Sequence, residues 1–169
     1  MALLAAPSAW AQGVTAHDLL DRAQIQDLIT HYYYNFGHSE NPEAFPNFYA
    51  EDAELILGTR HFKGRDGIAQ AYGAPRSGGA SSAPSSAPSP SRSAFAFNVT
   101  ISNPLIVVHG DTASSRLIFT EYLIDKQGDA PHVRTQGREY ATFVKVHGRW
   151  LYKTRAIVSG TEPPDGWKE

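Results

Sequence analysis

From about Ala94 to Gly160 the chain alternates long runs rich in Val, Ile, Thr, Phe and Tyr with three turn dipeptides, Gly110-Asp111, Gly128-Asp129 and His147-Gly148. Such dipeptides supply the φ > 0 positions that hairpins need. The spacing therefore predicts four strands, each paired with its sequence neighbour, in an antiparallel meander. The strands are longer than the usual length of about five or six residues. Long strands twist and coil, so one side of such a sheet is hollow and has to be filled. The N-terminal half supplies helices for that purpose, and the chain is expected to be α+β.

Thr15 with Asp18 forms a capping-box arrangement at the start of the first helix, which is predicted over Ala16–Phe36. Leu19, Leu20, Ala23, Ile25, Leu28, Ile29, Tyr32, Tyr33 and Phe36 recur at helical spacing as a broad apolar stripe, and Gly37 is placed to end it. Asn41-Pro42 starts a short second helix that runs through Tyr49, with Pro46 tolerated near its beginning. Ala53–Leu57 reads as a short strand closed by Gly58, and Gly64–Tyr72 as a third helix. Residues 73–93 are dominated by Gly, Ser, Ala and Pro and have no large apolar side chain, a composition that cannot offset its own ordering entropy. This stretch is expected to be a disordered insertion.

In the meander, Phe95, Phe97, Val99 and Ile101 share one face by alternation, and Asn103-Pro104 interrupts that strand as a bulge or edge. Leu117, Phe119, Glu121 and Leu123 fall on one face of the next strand, and Arg116, Ile118, Thr120 and Tyr122 on the other. Val133–Val146 and Trp150–Ser159 complete the set. Apolar residues on both faces imply that both are covered, one by the helices and the other by a second copy of the chain. A homodimer is expected.

The length of 169 residues suits one domain, placed at 13–162 with a tail at 163–169. A formal charge of −2 without a basic stripe argues against a nucleic-acid partner. The chain has no apolar run of about 18 residues that would span a membrane. It has no cysteine, hence no disulfide, thiolate nucleophile or cysteine-bound metal. The first twelve residues, with Ala9-Trp10-Ala11 before Gln12, fit the end of a secretory signal peptide, although a charged n-region is missing. The expected location is periplasmic or secreted, or cytoplasmic if residues 1–12 are only an apolar tail.

Several stretches together resemble the SnoaL-like branch of the NTF2-like superfamily, whose fold is a scytalone dehydratase-like cone. They are Ile25–Tyr32, Phe48–Glu54, Phe62–Ile68, Ile101–Leu105, Gly110–Ala113 and Gly148–Arg155, and the resemblance covers about residues 16–160. It implies N-terminal helices packed in the concave face of a curved antiparallel sheet, with a ligand pocket between the first helix and the sheet. The dehydratase members use an Asp after that helix, two His, a Tyr and an Asn. Carried over one at a time, the Asp position falls on His38, the first His on Val99 or a neighbour and the Tyr near Leu57. The second His falls near Arg116 and the Asn on Glu139. None of the dehydratase residues is retained, so that mechanism is not expected here.

The replacements suggest a different constellation. His38 titrates near neutral pH and suits a general acid or base. Glu139, if it points into an apolar cone, needs protonation or a partner, and Arg116 is the candidate partner or an anchor for an anionic substrate group. A register slip of one residue would put Arg138 and Tyr140 in the pocket instead. Tyr33 is placed to donate to a carbonyl or enolate oxygen, and Tyr32, Phe97, Val99, Leu57 and Phe143 are the remaining candidate substrate-binding residues. No pair of His residues stands at metal-ligand spacing, and no P-loop, Rossmann or G-x-S-x-G motif is present, so neither metal nor cofactor is expected. Two functions fit this pattern. One is a cofactor-free lyase, isomerase or hydrolase acting on an apolar carbonyl or polyketide-like compound. The other is a non-catalytic ligand-binding or dimerisation module.

Overall fold

The computed structural model describes residues 15–38, 42–73 and 96–159, together with residues 164 and 167. The apolar segment 1–12, residues 74–93 of the low-complexity stretch and the rest of the 163–169 tail lie outside the described residues, as do Phe95 and the expected cap Asn41.

Helix α1 spans Ala16–His38. The capping box forms: Asp18 N–H donates to Thr15 Oγ1 at 3.1 Å, and Thr15 N–H donates to Asp18 Oδ2 at 3.1 Å. The helix runs two residues past its expected end, through Gly37 to His38. Its buried stripe is also rotated from the expected one. Ile25, Ile29, Tyr32 and Tyr33 are buried, but Leu19 and Leu20 are 56% and 57% exposed. Asp21 takes the inward place in that first stretch, because the sheet meets it with polar partners. Lys145 Nζ and Trp150 Nε1 both donate to its Oδ1, at 2.6 and 3.0 Å.

After α1 comes a 3₁₀ turn, Pro42–Phe48, where a short α-helix was expected. Pro46 lies inside it and lacks the N–H that an α-helical turn would use there. Strand β1 (Tyr49–Leu57) begins four residues earlier than the apolar run suggested, and Gly58, at φ +61°, turns it into a strand that the sequence reading missed, β2 (Arg60–Lys63). Helix α2 spans Gly64–Ala71. Four long strands follow: β3 (Ala96–His109), β4 (Thr112–Ile124), β5 (His132–Val146) and β6 (Arg149–Val158). The six strands form one sheet in the order β2-β1-β6-β5-β4-β3. The meander pairs as expected, but the sheet is not wholly antiparallel, because β1 lies parallel to β6.

Cross-strand register shows which residues share the helix-covered face. Phe97, Val99 and Ile101 on β3 stand opposite Leu123, Glu121 and Phe119 on β4. Across β4 and β5, Phe119 faces Gly137, Leu117 faces Glu139 and Ala113 faces Phe143. Glu139 and Ala141 then pair with Ile157 and Arg155 on β6, beside Leu55 and Leu57 of β1.

Three irregularities in the long strands bend this sheet, since an extra residue increases local twist. One is at Asn103-Pro104, where Asn103 takes φ +51°. A second lies in β5, where Glu121 pairs with Thr135 but Tyr122 pairs with Val133, leaving Arg134 unopposed. The third lies in β6, where Phe143 pairs with Tyr152 but Thr142 pairs with Thr154, leaving Lys153 unopposed. The curved sheet, α1, the 3₁₀ turn and α2 enclose one core, which makes the fold an α+β cone. No helix among the described residues is long and apolar enough to cross a membrane.

Candidate functional site

The interior of the cone is built around a buried ion pair. Glu139 is fully buried and Arg155 is 3% exposed. Arg155 Nε and Nη2 both reach Glu139 Oε2, each at 2.7 Å. Tyr33 donates its hydroxyl proton to the same oxygen at 2.6 Å, and Tyr152 donates to Oε1 at 3.3 Å. The carboxylate is thus satisfied from both sides, as a buried charge must be. On its other edge, Arg155 Nη1 donates to the hydroxyl oxygens of Tyr32 (2.7 Å), Tyr49 (3.3 Å) and Tyr72 (3.3 Å). Nη2 also donates to Tyr33 Oη at 3.0 Å, and the guanidinium lies 4.0 Å from the centroid of the Tyr32 ring. Burial pushes all five tyrosine hydroxyls well above their ordinary pKa, so each is a neutral donor. Burial alone would loosen the arginine proton, but Glu139 and the tyrosines outweigh it and hold the guanidinium firmly charged.

Hydrogen accounting in this cluster leaves a remainder. Tyr32, Tyr49 and Tyr72 carry three hydroxyl protons. Among their oxygens there are only two contacts, Tyr32–Tyr72, which is short, and Tyr49–Tyr72 at 3.3 Å. Each contact uses one proton, so one is left without an acceptor among the described residues. Tyr32 and Tyr72 both border a cavity of about 40 Å³. Carried by Tyr32 or Tyr72, the surplus O–H, polarised by the cation behind it, is a donor for an oxygen placed there.

Glu121 borders the same cavity, along with Tyr33, Phe36, Leu57, Phe119, Arg155 and Ile157. It is 5% exposed, and burial raises its carboxyl above the usual range, with Arg134 pulling the other way. Arg134 Nη1 donates to Glu121 Oε2 at 3.3 Å. The cavity therefore has an ionisable carboxyl in one wall and polarised hydroxyl donors in another, with apolar side chains between.

The expected site residues divide as follows. Glu139, Tyr33 and Tyr32 belong to the buried cluster, and Leu57, Tyr32 and Tyr33 also border the cavity. Phe97 packs against Phe36, at 5.7 Å between ring centroids, and Val99 stands opposite Glu121, so both lie on the inner face close to the cavity. Phe143 is buried deeper, with its ring 4.9 Å from that of Tyr152. Arg116 is not the partner of Glu139. It is exposed on the outer face opposite Tyr140, because its neighbour Leu117 takes the inward place. Arg138 and Tyr140 likewise flank the inward Glu139 and pair on the opposite face. The His38 backbone closes α1, and its side chain lies outside the described residues.

Sequence reasoning missed Arg155, Glu121, Tyr49, Tyr72 and Arg134 as site residues. Glu121 carried a signal, an acid in an otherwise apolar alternating row. Arg155 carried a misleading one. Counted by twos from the inward Tyr152, it falls on the outer face, and the extra residue at Lys153 turns it inward.

The SnoaL-like domain family profile matches residues 17–156, a span that runs from the first turn of α1 into β6. The chain belongs to the SnoaL-like domain family. Solved structures with the same fold include a provisionally assigned scytalone dehydratase from Novosphingobium aromaticivorans DSM 12444. It is 18% identical over 90% of this SnoaL-like chain and 97% of its own, with a TM-score of 0.62. An NTF2-like protein with a cystatin-like fold from the same genus is 19% identical over 90% and 95%, at 0.63. ActVI-ORFA from Streptomyces coelicolor is 11% identical over 81% and 95%, also at 0.63. At these identities the likeness shows the fold alone. No curated protein sequence matches the chain.

Proposed function

We propose that this SnoaL-like protein binds the carbonyl end of a small, largely apolar compound and moves a proton beside that carbonyl, as a cofactor-independent lyase or isomerase. One observation carries the reading: the Glu121 carboxyl and the Tyr32 and Tyr72 hydroxyls, backed by Arg155, border one cavity. The Glu121 carboxylate takes the proton from the carbon next to the carbonyl, and the electron pair moves onto the oxygen. The surplus tyrosine proton stabilises the resulting enolate. The enolate then collapses in one of two ways. Either Glu121 returns its proton at a different carbon, or the β-carbon–oxygen bond breaks and that oxygen leaves as water with the proton from Glu121. The cavity of about 40 Å³ holds one reacting group and not a whole polyketide, so the remainder of the substrate would lie at the mouth beside Phe36, Leu57 and Phe97.

The test is deuterium exchange, which reports proton abstraction whatever the final product. An aryl ketone such as 2-tetralone is incubated with the protein in deuterated water, and loss of its α-proton signal is followed by NMR. Glu121→Gln should slow exchange by about 10²–10⁴-fold, the usual worth of a general base. Tyr72→Phe should slow it by about 10²-fold. Because the base must be ionised and its pKa is raised, the rate should rise with pH through a midpoint above the free glutamate value of 4.5. Loss of exchange in His38→Ala would move the acid/base role to His38. Saturable ketone binding without exchange would favour the second reading, a non-catalytic ligand holder. The closed Glu139–Arg155 cluster and the existing Glu121–Arg134 pair support that second reading.

The proposal extends to a homodimer through the outer sheet face, where Ala50, Val144 and Leu151 line a groove of about 1460 Å³. Light scattering on the eluting peak measures the mass directly, and a monomer at micromolar concentration would refute this part.

A further inference from the structure

Arg134 is turned toward the inner face of the sheet by an irregularity whose function the reaction above does not use. Strict alternation back from the inward Thr135 would place it on the outer face. The unopposed extra residue in β5 breaks that alternation. The Arg134 side chain instead reaches inward, to Glu121 Oε2 at 3.3 Å and to the face of Phe97, 5.9 Å from the ring centroid. Bulges beside functional sites commonly re-aim one side chain in this way.

The contact with Glu121 leaves most of Arg134 uncommitted. A guanidinium carries five N–H donors in a planar fork. Among the described residues Glu121 is the only hydrogen-bond partner of Arg134, reached through Nη1 alone. The side chain is 30% exposed, whereas that of Glu121 is 6% exposed. The fork is therefore partly open to solvent, beside a carboxyl that borders the cavity. Arg155, the other arginine of the inner face, is 3% exposed and fully engaged by Glu139 and four tyrosines. Among the described residues the inner face thus has one arginine closed into the buried cluster and another partly exposed beside Glu121.

We infer that Arg134 is a specificity-determining residue that grips a carboxylate on the substrate, so that the compound taken up is an apolar keto acid with its carbonyl inward and its carboxylate on that guanidinium. A carboxylate matches the guanidinium fork bidentately, which a single 3.3 Å contact to Glu121 does not exploit. Gripping the ligand would also draw Arg134 away from Glu121, leaving that carboxyl to the reaction. The inference rests on the pocket reading of the preceding section, and its test separates the two.

The probes are 4-acetylbenzoate and its methyl ester, which share a shape and differ in one charge. Their affinities are measured by calorimetry on the full chain, Arg134→Gln and Arg134→Lys, with near-ultraviolet circular dichroism confirming that each variant is folded. The expected result is that the parent binds the acid at least about tenfold tighter than the ester. Arg134→Gln should abolish that preference while keeping ester affinity, and Arg134→Lys should restore part of it. An ester bound as tightly as the acid by the parent protein overturns the inference and leaves the pocket reading standing. So does an acid preference that survives in Arg134→Gln. Binding of neither probe at millimolar concentration overturns both.

Discussion

Replacing Glu139 by Gln keeps the shape of the side chain and removes one charge from the centre of the cone. Arg155, 3% exposed, would then face a neutral amide where two of its nitrogens now lie 2.7 Å from a carboxylate oxygen. At an effective dielectric constant of about 20, unit charges about 4 Å apart attract by about 4 kcal/mol. Measured losses on breaking one side of a buried pair are about 3–5 kcal/mol. Arginine cannot relieve the loss by giving up its proton, as its pKa is held above an already high value. Glu139→Gln should therefore destabilise the fold by about 3–5 kcal/mol at neutral pH, out of a total of about 5–15 kcal/mol for domains of this kind. The companion variant Glu139→Gln/Arg155→Met removes both charges, and the single amide oxygen introduced by the first substitution can still accept from Tyr33. The double variant should be more stable than the sum of the single losses implies, by about 2 kcal/mol or more. Urea unfolding followed by tryptophan fluorescence suits the measurement, since Trp150 is 4% exposed and anchored to α1. A loss below about 1 kcal/mol for Glu139→Gln, or additivity within about 0.5 kcal/mol, would refute the claim that this pair is buried, charged and coupled.

Two further outcomes follow from the same geometry. A Cβ at Gly137 would lie 2.7 Å from both Phe119 Cζ and the Val158 carbonyl oxygen, so Gly137→Ala should cost about 1–3 kcal/mol and push Phe119 into the cavity, which thermal melts and ketone-binding calorimetry would show together. Asp21→Ala strands Lys145 and the Trp150 N–H at the foot of α1 and should lower stability by about 2–4 kcal/mol at pH 7. Lys145 lowers the Asp21 pKa below 3.8, so in the parent this contribution should be present above that value and lost as acid takes the pH below it; a parent–variant gap that does not change with pH would count against it.

Much of the fold was legible because it depends on local pattern. Thr15 and Asp18 cap α1 as their spacing implied, and Gly110, Gly128 and the His147-Gly148 pair take the positive φ angles that the hairpin turns require. The burial of Leu19 and Leu20 was misread, because helical spacing records which residues share a face and not where the opposing sheet ends. Strand β2 escaped notice because its Arg60-His-Phe-Lys63 run is short and largely exposed. It is held by pairing with β1, a non-local fact.

The sequence by itself determined the strand-rich half, the capped helix, the inward row that contains Glu121, and the family resemblance carried by local stretches. Only the tertiary structure decided which charges face the interior. A strand's side chains alternate with period two, so one extra residue reverses every assignment beyond it. At Lys153 that reversal brings Arg155 onto Glu139, where Arg116 had been expected, and at Arg134 it turns an arginine toward Glu121. Whether a strand carries the extra residue depends on the curvature imposed by its neighbours, and that curvature exists only once the whole sheet has closed around α1.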